Sequence, residues 1–286
     1  MLPVNSSPCP SPSTRASPFR LPRYGRDGYT RHTMNMHDFD RWARELLSVD
    51  RFRSADDSLN GIQVDRSDTP LRKMAFAVDA CLETIRRAKE AGAQALFVHH
   101  GLFWGKPLPL SGSLRQRVLE LLNGDLALYA CHLPLDAHPE LGNNAVLARM
   151  LGLKNIEPFG DYHGLAIGCK GIFDTALSMD EVLRRVLTAG DPPRALYPFG
   201  PERIRSVGIV SGGAAFESLQ AIEQGLDLYL TGEPSHSIYH TVMEEGLNVI
   251  AAGHYATEVH GVQAVAERAA RELGIETVFI EFPTGL

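Results

Sequence analysis

No stretch of this 286-residue sequence approaches the roughly 20 consecutive apolar residues of a membrane helix, which excludes a helical span. Cysteine is scarce. Cys9, Cys81, Cys131 and Cys169 lie scattered without CxxC spacing, leaving neither a disulfide framework nor a zinc knuckle. They read as free, mostly buried thiols of a reducing compartment, the cytoplasm. GxSxG, HExxH and a Cys–His pairing are absent, and no glycine-rich loop carries the Lys-Ser/Thr of a P-loop. An excess of positive charge is missing as well: the formal net charge is −6, which argues against binding to nucleic-acid backbone. What is present, 44% hydrophobic, 22% charged and 8% aromatic residues, is ordinary for a globular chain of one large or two modest domains.

Charge is unevenly spread. Residues 1–34 hold five arginines, one aspartate and no lysine, with six prolines and five serines, and show no apolar periodicity. Disorder is expected over residues 1–35 because no core can form there. An apolar h-region is lacking, so a secretory signal is excluded. An Arg- and Ser-rich transit peptide is the minor reading, and a start codon assigned too early, with Met34 and Met36 downstream, is the preferred one. The rest of the chain carries 23 basic against 33 acidic residues, a net of −10. A body this acidic can hold divalent cations where its carboxylates converge.

From residue 36 strands and helices alternate. Phe39, Trp42, Leu46 and Val49 mark one face of an opening helix. Strands are predicted at Lys73–Val78, Ala95–Val98, Leu126–Cys131, 163–173, Val207–Val210, Leu226–Leu230, Val249–Ala251 and Val278–Phe282. Helices are predicted through Leu82–Ala88, around Leu114–Leu122, and from a capping box at Ser178-Met179-Asp180-Glu181 toward Ala189. Asp191–Pro201 reads as a linker or surface loop. Strands spaced by helices predict an α/β fold of two units with mainly parallel sheets.

Histidine is the informative residue. His99 and His100 end one predicted strand, His132 and His138 flank Asp136 after another, and His254 opens a helix that also holds Glu258. Ligands of open parallel sheets bind beyond the carboxyl ends of strands, where these clusters fall. His254 and Glu258 stand four residues apart and share a helix face. His99 and His100 would diverge on a straight strand, but a chain turning at Gly101 lets each reach one of two neighbouring ions. A lone His-His pair is commonly a hydrogen-bonded strand end, and a lone HxxxE a solvated pair worth a few tenths of a kcal/mol. Three such clusters after three strands support a metal site with open coordination positions, a catalytic design. Glu233 and His236 in Thr231–His236 are candidates for acid/base work, balanced against helix capping by Thr231 or Ser235. Ser211–Ala214 reads as a strand-to-helix turn, and Asp57–Gly61 as a turn.

Asn60-Gly61-Ile62-Gln63-Val64, Val98-His99-His100-Gly101-Leu102-Phe103-Trp104, His132-Leu133-Pro134-Leu135-Asp136-Ala137-His138, Gly142-Asn143-Asn144, Thr231-Gly232-Glu233 and Gly253-His254-Tyr255-Ala256-Thr257-Glu258 together resemble the Nif-three-like dinuclear-metal family. Its members are labelled GTP cyclohydrolase type 2 homologues, and the likeness covers about residues 36–286 in a short form without an inserted middle domain. The resemblance implies two interlinked α/β domains, roughly 36–140 plus 250–286 and 141–249, in a ring-shaped homohexamer. It implies two divalent ions (Zn, Fe, Mn, Co or Ni) on His99, His100, Asp136, His254 and Glu258, with Glu258 bridging. If the label holds, water activated by the ions attacks C8 of the guanine ring of GTP and formate leaves, with His236, Glu233 or His132 moving the proton. A non-catalytic metal-binding or regulatory hexamer that interacts with other proteins is the alternative. Two departures stand out: residues 1–34 have no family counterpart, and the family's glycine-rich turn is imperfect at Ser211–Ala214.

Overall fold

The protein is described from a computed structural model over residues 34–187 and 192–286. The extension expected over residues 1–35 falls outside the described residues up to residue 33, as does the predicted helix end at Ala189. Helix α1 (Met36–Leu47) opens with a capping box in which Asn35 and Asp38 exchange side-chain-to-backbone hydrogen bonds. Strands β1 (Gly61–Val64) and β2 (Lys73–Asp79), helix α2 (Leu82–Glu90), β3 (Ala95–His100), α3 (Gly112–Asn123) and β4 (Ala127–Ala130) follow. Next come the short α4 (Leu133–Asp136), α5 (Asn143–Leu151), the long strands β5 (Lys154–Tyr162) and β6 (Leu165–Leu177), and α6 (Met179–Val186). The chain closes through β7 (Ala195–Pro198), β8 (Ile204–Ile209), α7 (Ser218–Glu223), β9 (Leu228–Thr231), α8 (Tyr239–Glu244), β10 (Asn248–Ala251), α9 (His254–Leu273) and β11 (Glu276–Phe279).

These strands build two sheets, with orders β1-β4-β3-β2-β11 and β5-β6-β8-β9-β10-β7. In the first, β4, β3, β2 and β11 run parallel and β1 joins antiparallel. Alternation along β2 explains the layering. Met74, Phe76 and Val78 face α1 and α9, where Phe39, Ala43, Val262 and Val265 meet them, while Ala75 and Ala77 face Ile85 of α2 and Leu121 of α3. Phe39 stands edge-on to Tyr129 at 5.3 Å, and burying such a ring contributes about 1.5–3 kcal/mol.

The second sheet is half antiparallel. Its β8-β9-β10 centre is parallel, and β6, β5 and β7 are antiparallel to their neighbours. Leu228 and Leu230 face α5 and α6, and Tyr229 faces α7 and α8. The strand expected at 163–173 is one arm of a hairpin that begins at Leu165. His163 and Gly164, at φ +53° and +83°, make its two-residue turn, the geometry that suits the twist of paired strands. The stretch 192–201, expected as a linker or loop, contains edge strand β7, because Ala195–Pro198 finds a partner in β10.

Both sheets deliver to one place. The ends of β3 and β4 in the first sheet, the turn after β8 in the second, and the start of α9 all meet there.

Candidate metal centre

His99, next to last in β3, has its ring fully buried, and its Nδ1 faces the backbone oxygen of Cys131 at 3.0 Å. A carbonyl only accepts, so that nitrogen carries the proton and Nε2 is left as a lone pair. Nε2 points at Asp136 Oδ2 (3.4 Å) and Glu258 Oε1 (3.5 Å). His100, the next residue, turns its Nδ1 to Asp79 Oδ1 at 2.8 Å and its Nε2 to Glu258 Oε2 at 3.2 Å. His254, first residue of α9, repeats the pattern with Nδ1 on Glu233 Oε1 (2.7 Å) and Nε2 on Glu258 Oε2 (3.1 Å). His132 is held through Nδ1 by Asp56 Oδ1 at 2.9 Å. Carboxylate or carbonyl partners on the far ring nitrogen are how metal-ligating imidazoles are oriented.

The carboxylates are fixed with equal care. Asp136 Oδ1 accepts from Asn143 Nδ2 (2.8 Å) and Ser211 Oγ (2.9 Å), which leaves Oδ2 for the centre. Glu258 sits one turn beyond His254 on α9 and is 3% exposed. Gly212, at φ +67°, brings the turn after β8 down onto it. A Cβ there would stand 2.2 Å from Glu258 Oε1 and 3.1 Å from His254 Nε2, so only glycine fits. The amides of Ser211 and Gly212 are taken by Asn144 Oδ1 and Thr257 Oγ1, so this turn is fastened to the elements that carry the centre.

Lone pairs thus face lone pairs. His99 Nε2, His254 Nε2 and Glu258 Oε2 are buried without any hydrogen-bond partner, an expensive arrangement unless a cation lies between them. Protons are one answer. Burial pulls the His99 imidazole down, but Asp136 and Glu258 outweigh it and push it up to about 10. The same balance, with Glu258 and Glu233 as the anions, brings His254 to about 9. Burial of Glu258 works against its charge, yet His99, His254 and His100 hold its carboxyl well below the usual range. A metal ion is the other answer, and the residues fit one. His99, Asp136 and Glu258 form one group whose donor atoms lie within 4.8 Å of each other, and His100, His254 and Glu258 form a second. A third such group is His99, His100 and His132. Nitrogen and oxygen donors without thiolate suit Zn, Fe, Mn, Co or Ni.

All five expected ligands therefore meet, and His132 stands with them. Beside them opens a cavity of about 540 Å³, with Trp104, Leu133, Ile167, Val210 and Glu217 on its walls. Two expectations change. Glu233, a candidate acid or base, is the hydrogen-bond partner of His254 and is half exposed. His236 starts an exposed 3-10 turn capped by Ser235, is not among the residues lining the cavity, and has His240 as its ring neighbour at 6.3 Å. His138 accepts from the amides of Glu140 and Leu141 and serves its own turn. The sequence reading gave no role to Asp79 or Asp56, and held Asn143 and Ser211 only as parts of a motif and a turn. Asp79 had a usable signal: it ends the strand next to β3 and pairs in register with His100.

Strand ends of two sheets and a shared helix thus gather four imidazoles and two carboxylates beside one cavity, a candidate metal site of mixed N/O donors. The chain belongs to the Duf34/NIF3 (NGG1p interacting factor 3) family, whose profile matches residues 34–284. It is 44% identical to the "GTP cyclohydrolase 1 type 2 homolog" of Treponema pallidum, over 88% of this chain and all of that protein. A protein of the same description from Deinococcus radiodurans is 45% identical over 86% of this chain and 92% of its own length. Among solved structures, TTHA1606 from Thermus thermophilus superposes with a TM-score of 0.80 at 40% identity, over 88% of this chain and all of that one.

Proposed function

We propose that this chain is a dinuclear-metal-dependent hydrolase of a small molecule. Opening of the guanine ring of GTP is the first candidate reaction, in keeping with the description its relatives carry. The observation that carries the reading is the sharing of Glu258. Its Oε1 lies 3.5 Å from His99 Nε2, which also faces Asp136, and its Oε2 lies 3.2 Å from His100 and 3.1 Å from His254, so this one side chain would serve both ions. Ions held there would supply Lewis-acid polarisation and a water of lowered pKa. His99, Asp136 and Glu258 would hold one, and His100, His254 and Glu258 the other. His132 takes the proton-carrying role: Asp56 fixes its ring through Nδ1, while Nε2 remains available. Leu133, Ile167 and Val210 give the cavity part of its apolar lining.

In this reading the site lies between two α/β domains, residues 36–140 with 250–286 and residues 141–249, and the protein works as a homohexamer in the cytoplasm. Among the described residues no helix is long and apolar enough to cross a membrane.

The test is metal per chain by elemental mass spectrometry, with wild type beside Glu258→Ala and the isosteric Glu258→Gln. About two ions in the wild type and clearly fewer in both variants are expected. Full occupancy in the variants overturns the ligand assignment, and a wild type without stoichiometric metal after incubation with Mn, Fe and Zn overturns the hydrolase. His132→Gln should keep its ions while GTP turnover falls on the order of 10²-fold or more. Two ions with no turnover of any nucleotide would favour the non-catalytic metal-binding alternative.

A further inference from the structure

Among the described residues lining the cavity there is no lysine or arginine, but there are five carboxylates: Asp56, Asp57, Asp136, Glu217 and Glu258. Three are committed. Asp56 accepts from His132, Asn60 and the amides of Ser58 and Leu133. Asp136 and Glu258 belong to the centre. Asp57 is exposed at the edge of the cavity. Glu217 differs from all of these. It is partly buried, and among the described residues no other side chain donates to its carboxylate, which lies near its own backbone N–H and the Tyr229 hydroxyl that Ala214 engages. Burial accordingly raises its carboxyl above the usual value.

The position of Glu217 is tied to the centre. The segment that leaves β8 touches Asp136 through Ser211, rests on Glu258 at Gly212, and reaches Glu217 three residues beyond Ala214, which Tyr229 fixes through its hydroxyl (2.5 Å to the Ala214 oxygen). Trp104 provides a flat aromatic wall in the same cavity. Its Nε1 donates to the Gly101 oxygen at 3.0 Å, and its ring stands edge-on to His132 at 4.9 Å. A cavity of about 540 Å³ is in the range that takes a nucleoside-sized molecule.

A free carboxylate presents two acceptor oxygens side by side and no donor. Its best complement is a pair of neighbouring N–H groups on a planar frame, which gives two parallel charge-assisted hydrogen bonds. We propose that Glu217 is the specificity residue of this cavity, reading the paired N–H donors of a planar heterocycle of guanine type whose reacting carbon lies toward the histidine–carboxylate centre. The choice of guanine and the direction of the reacting carbon rest on the hydrolase reading; the pairing of Glu217 with neighbouring N–H donors rests on its place in the cavity. Guanine offers a ring N–H next to an exocyclic amine. Hypoxanthine keeps the ring N–H alone, and adenine places a lone pair where the ring N–H should be. A site built around a hydrogen-bond acceptor rejects the ligand that cannot donate, because the acceptor is then desolvated without a partner.

The experiment is calorimetric titration of the full-length, Mn-incubated protein with guanosine, inosine and adenosine, with metal content measured on the same samples. Wild type should bind guanosine at least about tenfold more tightly than adenosine, with inosine between. Glu217→Ala and Glu217→Gln should bring the three to within about threefold while metal content matches the wild type; the Gln variant keeps the side-chain shape and one acceptor oxygen but puts an NH2 donor in place of the second, which separates loss of the paired acceptors from lost packing. A wild type that does not prefer guanosine, or variants that keep the preference, overturn the proposal. Full metal with no base preference sinks the Glu217 assignment alone. Absent metal with a base preference that Glu217→Ala abolishes sinks the hydrolase reading alone.

Discussion

Asp79 and Glu233 never face the cavity centre directly, yet each decides what an imidazole can do there. By accepting from Nδ1 of His100 and of His254 they fix the tautomer and aim Nε2 inward. Asp79→Ala and Glu233→Ala should each weaken metal affinity on the order of 10–100-fold, measured by competition with a chromophoric chelator, with the fold intact by circular dichroism. Affinity unchanged in both would mean that the rings are held by packing alone. The sequence made this cluster legible because His99 and His100 end a strand, Asp136 and His254 follow one within a few residues, and Glu258 lies one helical turn beyond His254. Their supports were hidden for a physical reason: Asp79 reaches His100 across 21 positions, Asp56 reaches His132 across 76, and Ser211 reaches Asp136 across 75. No local spacing rule spans such distances, and only the end-of-strand placement of Asp79 left a trace.

At the scale of elements, legibility follows burial. β2, β3, β4, β8, β9 and β10 have neighbours on both sides and carry apolar runs, and all were foreseen within a few residues. The three that escaped, β1, β5 and β7, are edges of their sheets. Edge strands need no continuous apolar run, and β5 (Lys154–Tyr162) is mostly exposed and includes Pro158 and Gly160. Helix starts are the most readable feature where a capping box is complete. Ser178 and Glu181 satisfy one another's backbone N–H at the start of α6, as their spacing predicts. Ser178→Ala should therefore cost about 1 kcal/mol, seen as a drop of roughly 2–4 °C in melting temperature. No change would mean that α6 is held entirely by Val182 and Val186 in the core.

For the whole molecule, the centre couples stability to acidity with opposite signs in its two states. In the metal-free protein His99 and His254 titrate near 10 and 9, against about 6.5 in an unfolded chain. The folded state then binds the extra protons, so this contribution is complete below about pH 6.5 and is lost as pH rises through 9 to 10. Ions held there would compete for the same lone pairs, so loading would release protons and tighten with rising pH across that window. Chelator-stripped protein should lose melting temperature between pH 7 and 10 while Mn-loaded protein holds it, and Mn added at pH 7.5 in weak buffer should acidify the solution. Equal melting profiles and no acidification would contradict the proton-filled cage. One more property follows from the path of the chain. The apolar face formed by Met74, Phe76 and Phe97 is covered by Val262, Val265 and Ala269 of α9, and β11 completes the same sheet. On the ribosome, a chain that has emerged as far as β4 has four of the five strands of this sheet and only α1 over the face, and must wait for more than a hundred further residues before α9 completes the cover. Stalled or truncated products lacking α9 would present that face to other nascent chains, so the burden on cellular quality control falls on the unfinished protein, before any ion is bound.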